Sequence, residues 1–242
     1  MNVFKKFYCR AFQTVFRAAL PLLPYREPEI MHSVNDVASL TDKLGVKSVM
    51  LVTDSGLRGA GITAPLEKLL EEHGVKCVVY DKTRANPTVA NVEEALRLYN
   101  QENCGCLIAF GGGSSMDCAK AIGARVAYPK KPLSKLKGTL KVIRKIPTLV
   151  AIPTTAGTGS EVTLAAVITD SQHNHKYPMN DFSLIPRYAV HDPSVTFTLP
   201  PSLTATTGMD ALTHAVEAYI GRSTTKEMRQ KALEATELIF QN

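Results

Sequence analysis

The sequence predicts an α/β protein: a Rossmann-like, doubly wound parallel sheet followed by the start of an all-helical domain. Three observations predict it. Short apolar runs rich in β-branched residues alternate with helical patterns between residues 46 and 191, as parallel strands joined by crossover helices do. One of these runs, residues 107–110, ends directly in a glycine triplet that opens a helix. From Pro200 onward helical spacing continues with no further strand, which marks a domain boundary near Leu199.

The elements follow in order. Residues 1–20 place Phe4, Phe7, Tyr8, Phe12, Val15, Phe16 and Leu20 at roughly helical spacing, with Lys5, Lys6, Arg10 and Arg17 between them: a basic amphipathic helix. The charges interrupt any membrane span, and no small-residue cleavage site follows. The helix either docks on a membrane or partner surface or packs as an extension on its own domain, and the second is expected, because apolar side chains usually find a place to pack. Pro21, Pro24 and Pro28 end it and form a linker. A helix over residues 35–44 leads into a strand over 46–53 that stops at Asp54. Helix 64–73, strand 76–80, helix 89–101, strand 106–110 and helix 115–127 continue the alternation. A loop over 130–145 separates them from strands 148–152 and 162–169, a polar turn at 170–175 and a last short strand at 188–191. Helices over 202–219 and 226–240 close the chain. The layout is therefore a basic extension (1–27), an α/β domain (28–199) and the beginning of a helical domain (200–242).

A hydrophobic content of 45% is ordinary for a folded protein with a substantial core. Five cysteines form no C-x-x-C pair and read as the reduced thiols of a cytoplasmic protein. The net charge of +6 is concentrated: residues 130–145 hold seven basic side chains and no acidic one, and the rest of the chain is nearly neutral. That stretch contains Pro132 and Gly138 and no aromatic residue, so a solvated loop is expected and no nucleic-acid partner.

In an open parallel sheet, ligands bind beyond the carboxyl ends of the strands, so the residues there are the functional candidates. Asp54 ends the first strand, where an acidic side chain either accepts hydrogen bonds from ribose hydroxyls or caps a turn. Gly111, Gly112, Gly113, Ser114, Ser115, Met116 and Asp117 join a buried strand to a helix; glycines allow close backbone approach, and the helix N-terminus offers free N–H groups to a phosphate. The next strand ends in Pro153-Thr154-Thr155-Ala156-Gly157-Thr158-Gly159-Ser160-Glu161, a concentration of hydroxyls and glycines that a core strand does not need. In the helical part, Asp210 and His214 stand at i and i+4, on one face, where both could grip a borderline divalent ion such as Fe(II) or Zn(II). Alone, the pair reads equally as a dipole-complementing aspartate and a half-buried histidine. His173 and His175 fall in a loop with no evident carboxylate partner and read as surface.

Taken together, Val52-Thr53-Asp54, Asn86-Pro87-Thr88, Gly111 to Asp117 followed by Lys120-Ala121, Ile152 to Glu161, Asp192-Pro193 and Thr207 to Tyr219 resemble the iron-containing alcohol dehydrogenase family, from about Pro28 onward. The dehydroquinate synthase and zinc-type glycerol dehydrogenase families share the fold, but PTTAGTGSE with GMDALTHAVEAY is similar to the alcohol dehydrogenase branch. The resemblance implies an NAD-binding first domain, a metal-binding helical domain and a likeness in chemistry: metal-assisted hydride transfer between NAD and a small alcohol or aldehyde, in a homodimer or larger assembly. It assigns Asp54 to the adenosine ribose, Gly112, Gly113 and Ser114 to the pyrophosphate, and Asn86, Asp117, Thr154, Thr155 and Lys176 to the rest of the cofactor groove. Asp210 and His214 match the first two metal ligands, with roles in catalysis. The family's two further ligand histidines have no counterpart here, since every other histidine precedes Asp210; the expectation is an N-terminal portion of a longer enzyme. Two other classes stand beside this one: a catalytically silent dinucleotide-binding module acting through partners, and an RNA-binding protein using the 130–145 loop, for which salt-insensitive binding would be disqualifying.

Overall fold

The structure, a computed structural model, describes residues 3–19, 22–173 and 175–242. Leu20 and Pro21, read as the end of the first helix, and Asn174 in the 170–175 turn lie outside the described residues, as do the side chains of Phe4 and Phe16. In chain order the elements begin with α1 (Val3–Ala19), β1 (Glu29–Met31), α2 (Asp36–Leu44), β2 (Ser48–Val52), α3 (Ser55–Gly59), α4 (Ala64–Glu72), β3 (Lys76–Tyr80) and α5 (Val89–Gln101). They continue with β4 (Cys106–Gly111), α6 (Gly113–Ala127), β5 (Gly138–Thr139), β6 (Thr148–Pro153), β7 (Ala165–Asp170), β8 (His175–Asn180), β9 (Tyr188–Val190), α7 (Pro201–Ile220) and α8 (Lys226–Gln241). They form two compact units: Arg26–Thr155 with Gly159–Leu199, and Met1–Tyr25, Ala156–Thr158 and Pro200–Asn242.

The first unit is built on a six-stranded sheet of order β1-β9-β6-β4-β2-β3, parallel at every pairing. Alternation along each strand sends its side chains to two separate cores. Val49, Leu51, Ile108, Phe110, Val150 and Ile152 pack with Val37 and Leu40 of α2 and Leu66 and Leu70 of α4. Met50, Val52, Leu107, Ala109, Leu149 and Ala151 pack on the opposite face with Val92 and Ala95 of α5 and Met116 and Ile122 of α6. This two-sided burial is why the strands read as continuous apolar runs. The chain lays down β2, steps outward to β3 and returns to place β4 on the other side of β2, so the order reverses between β2 and β4. All five cysteines are free, Cys106 within this core with its thiol pushed up to about 12 by burial.

A second sheet, β5-β8-β7, was not foreseen. β7 and β8 run antiparallel, while β5 lies parallel to β8. β8 escaped prediction because HKYPMN carries a proline and little apolar periodicity. Pro178 is tolerated opposite Val167 because the Val167 N–H points to the Asp117 carboxylate instead of across to β8, so this pair exchanges no hydrogen bonds and the missing donor costs nothing. The basic loop is pinned to the core by Leu133, Leu136, Val142 and Ile146, while its seven charges remain exposed. Arg144 stands 4.8 Å from the centroid of the Tyr128 ring. His173 does have a carboxylate partner, contrary to expectation: its Nδ1 lies 2.8 Å from Asp170 Oδ2, a bond that lowers the Asp170 pKa.

In the second unit, α7 and α8 pack on each other around the buried Ala215 and Ala232. Thr225 caps α8 by accepting the Met228 N–H at 3.2 Å. A Cβ on Gly157 would stand 2.6 Å from the Thr207 carbonyl oxygen, so only glycine fits there. Helix α1 departs from the expectation of a packed extension: Phe7, Tyr8, Phe12 and Val15 are 74%, 70%, 60% and 68% exposed.

Candidate functional site

The reversal of strand order between β2 and β4 opens a crevice at their carboxyl ends, and most of the candidates meet beside it. Gly111 closes β4 at φ 153°, and a Cβ there would meet Ser115 Oγ at 2.5 Å, so the tight passage from strand to helix requires glycine. Gly112 follows as the N-cap of α6. It offers no side chain to the first turn, which leaves the helix N-terminus without a side-chain cap. Thr154, nearly fully buried, donates its N–H to the Gly111 carbonyl at 3.1 Å, and Thr155 flanks Gly112 closely enough that a Cβ would touch its Oγ1 at 3.5 Å.

On the other side of the turn, Asn86 holds a left-handed backbone (φ 59°). Its N–H donates to Ser114 Oγ at 3.2 Å, and its Oδ1 accepts from Lys176 Nζ at 2.8 Å. Ser114 of α6, Asn86 of the β3–α5 loop and Lys176 of β8 thus form one polar chain beside the helix N-terminus. Gly112, Gly113, Ser114, Thr154, Thr155, Asn86 and Lys176 are brought together as a group. The arrangement can receive an anion: first-turn N–H groups and the positive end of a helix dipole face one way, and an exposed ammonium stands nearby.

Two candidates are otherwise engaged. Asp54 accepts the Gly56 and Leu57 N–H groups through Oδ1, at 2.9 and 3.0 Å, as the N-cap of α3. The capping reading of this residue therefore holds, and both bonds use the same oxygen. Asp117 turns away from the crevice: Oδ2 accepts the Val167 N–H at 2.9 Å and Oδ1 the Ser160 hydroxyl at 3.2 Å. Burial raises its pKa, against the pull of the Val167 N–H and Lys120.

Lys120, one turn further along α6, was not read as a site residue. It is fully buried, and its Nζ donates to the carbonyls of Ser160, Thr163 and Ala165 at 2.7, 2.9 and 2.8 Å, with the hydroxyls of both Ser160 and Thr163 within 3.3 Å. Burial pushes the ammonium down to about 8, opposed by the Asp117 and Glu161 carboxylates. Asp117 and Lys120 together fasten α6, and hence the glycine turn at its head, to residues 160–167. The signal was present in the sequence: a lysine inside the apolar run Cys118-Ala119-Lys120-Ala121-Ile122, three residues after an aspartate, is a cation placed in the core beside an acidic side chain on the same helix face.

Asp210 and His214 lie in the helical unit. On α7, His214 Nε2 stands 3.7 Å from Asp210 Oδ2, with the two side chains 57% and 45% exposed. The oxygen and nitrogen donors converge on one open face and suit one edge of a divalent ion's coordination shell. They do not complete it: among the described residues no group of three or more histidine, cysteine or acidic side chains could hold a metal.

Comparison with known proteins points to one family. The family model for iron-containing alcohol dehydrogenase matches residues 30–193. A choline dehydrogenase of Bacillus subtilis (strain 168) is 43% identical over 192 residues, covering 78% of this chain and 47% of the relative. The NAD-dependent methanol dehydrogenase of Bacillus methanolicus is 39% identical over 207 residues, covering 86% and 54%. Among solved structures, a 1,3-propanediol oxidoreductase superposes with a TM-score of 0.86 at 34% identity, covering 90% of this chain and 58% of that one. A sulfoacetaldehyde reductase from Bifidobacterium kashiwanohense, solved in complex with NAD+, gives 0.81 at 28% identity, covering 89% and 58%. The chain spans about half the length of the curated relatives it matches.

Proposed function

The chain belongs to the iron-containing alcohol dehydrogenase family, and on that premise we propose that it carries the cofactor half of an NAD-linked, metal-dependent oxidoreductase that interconverts small alcohols with aldehydes or ketones. The observation that carries the proposal is the convergence of the uncapped α6 N-terminus, the Ser114–Asn86–Lys176 chain and Thr154–Thr155 at the β2/β4 crevice. In this reading the first-turn N–H groups of α6 and the Lys176 ammonium bind the pyrophosphate, and the threonines orient the remainder of the dinucleotide. Asp54 offers Oδ2 to a ribose hydroxyl while Oδ1 caps α3, an acidic neighbour that disfavours a 2′-phosphate. Asp117 leaves the ligand set and becomes a support of the turn.

Asp210 and His214 would hold Fe(II) or Zn(II), which when bound supplies a Lewis acid for the substrate oxygen. The reading carries with it a cytoplasmic location and a homodimeric or larger assembly. The competing reading is a catalytically silent dinucleotide-binding module acting through partners; beside Asp210 and His214 the described residues supply no third metal donor.

Calorimetric titration with NAD tests the central claim: the chain binds NAD, and Lys176→Ala weakens binding about tenfold, the contribution of one charge-assisted contact, with an unchanged melting temperature because the side chain is exposed. A chain that does not bind NAD overturns the proposal. Titration with Zn(II) is expected to give weak binding that His214→Ala removes; binding unaffected by that substitution would take the metal role away from the pair.

A further inference from the structure

We propose that α1 is an in-plane anchor for anionic phospholipid membranes. Its 17 residues include Lys5, Lys6, Arg10 and Arg17 and no acidic side chain. Lys6, Arg10 and Arg17 recur at i, i+4 and i+11, so they share one face. Tyr8, Phe12 and Val15 recur at i, i+4 and i+7 on another, with Phe7 beside them, and these four apolar side chains are 60–74% exposed. The apolar side chains are thus largely exposed to solvent, with Lys6, Arg10 and Arg17 on the opposite face and Lys5 alone on the apolar side, one turn from Tyr8.

That combination selects the occupant. A helix with cations along its length does not cross a bilayer, and among the described residues no helix is long and apolar enough to do so. Lying in the interface, however, it buries Phe7, Tyr8, Phe12 and Val15 at the acyl boundary while Lys6, Arg10 and Arg17 meet headgroup phosphates, and Lys5 reaches the same layer along its aliphatic stem. Negative headgroups complement four uncompensated cations without requiring any particular shape. Just beyond the Leu22–Tyr25 linker, the Arg26 guanidinium donates to the carbonyls of Ile185 and Pro186 at 2.8 and 3.1 Å.

The full chain tests this directly. It contains no tryptophan, so Phe7→Trp introduces a single indole on the apolar face. Vesicles of phosphatidylcholine mixed with phosphatidylglycerol should shift its emission to the blue and carry the protein upward in flotation. Vesicles of phosphatidylcholine alone should bind at least tenfold more weakly, since each basic residue near an anionic surface contributes roughly a fivefold factor. Reversing Lys6, Arg10 and Arg17 to glutamate should abolish flotation, as should deletion of residues 1–23, with the circular dichroism melt of the remainder as the folding control. Flotation that survives either change, no difference between the two lipid compositions, or capture by an acidic peptide in place of vesicles would overturn the proposal.

Discussion

Lys120→Ala is expected to cost the sheet unit about 2–5 kcal/mol, the range for truncating a long buried side chain to alanine. The ammonium is buried and donates to three backbone carbonyls between residues 160 and 165. Removing it takes a donor from the Thr163 and Ala165 carbonyls, opens a cavity of lysine size and removes the positive charge that offsets the half-buried Asp117 carboxylate. Lys120→Met should recover the volume but not the bonds. Asp117→Asn combined with Lys120→Met should be less destabilising than the two single costs added, because each removes the other's unpaired charge. Urea unfolding followed by circular dichroism measures these variants, Asp117→Asn alone among them, against the wild type. A Lys120→Ala loss below about 1 kcal/mol would show that the latch is dispensable, since that is the scale of a single ordinary hydrogen bond.

The same residue imposes a pH dependence of known sign. Burial depresses the folded-state pKa to about 8 from the ordinary 10.5. Between those values the unfolded chain binds the proton more strongly than the folded one, so the wild type should gain stability relative to Lys120→Met as the pH rises from about 8 towards 10.5. Below that window the full cost of burying the charge is present and the difference should be flat. Melting temperatures across the range, taken as the difference between the two proteins, isolate this one group.

Gly112→Val is expected to lower NAD affinity at least a hundredfold, about 2.7 kcal/mol, while leaving the fold intact. Gly112 sits at φ −80°, ψ −171°, a conformation open to any residue, and a Cβ there would make only ordinary contact with Thr155, at 3.5 and 3.6 Å. The branched carbons, however, would fill the gap between the first turn of α6 and Thr155 and hold a phosphate beyond the roughly 3 Å that an N–H···O bond requires. Gly111→Ala is the contrasting variant: its φ of 153° and the Ser115 Oγ at 2.5 Å put the strain in the fold itself. Calorimetry beside thermal melts separates the two effects. Affinity within threefold of wild type in Gly112→Val would remove this turn from the binding site.

Much of the sheet was legible because burial on both faces writes a plain message. β2, β4 and β6 present four, six and four consecutive buried residues, and no alternative element fits them. β1 and β5 were not legible: three and two residues carry no period, and both exist because a neighbouring strand offers an edge. β8 was hidden by Pro178, whose tolerance depends on where the Val167 N–H points. At the site, the glycine turn and the threonine-rich loop were visible as composition out of place in a core. The contacts that give Asp54 and Asp117 their orientation were not, since an aspartate before a short helix and another one turn into α6 look alike in one dimension. Only the partners Gly56, Leu57, Ser160 and Val167 distinguish a carboxylate that borders a crevice from one that is locked inside.

The outer margin of β7 has a further consequence. An exposed strand edge is a template on which any extended segment can assemble, and a protein with open sheets is vulnerable to such growth. Here the Val167 N–H is held by Asp117, the Ala165 carbonyl by Lys120 and the Thr169 N–H by the Pro87 carbonyl, so three of the backbone groups along this row are already engaged. Polymerisation through that margin would first require two opposite charges to be pulled from the interior, and the lysine and aspartate of α6 act in this sense as a guard against fibrous association.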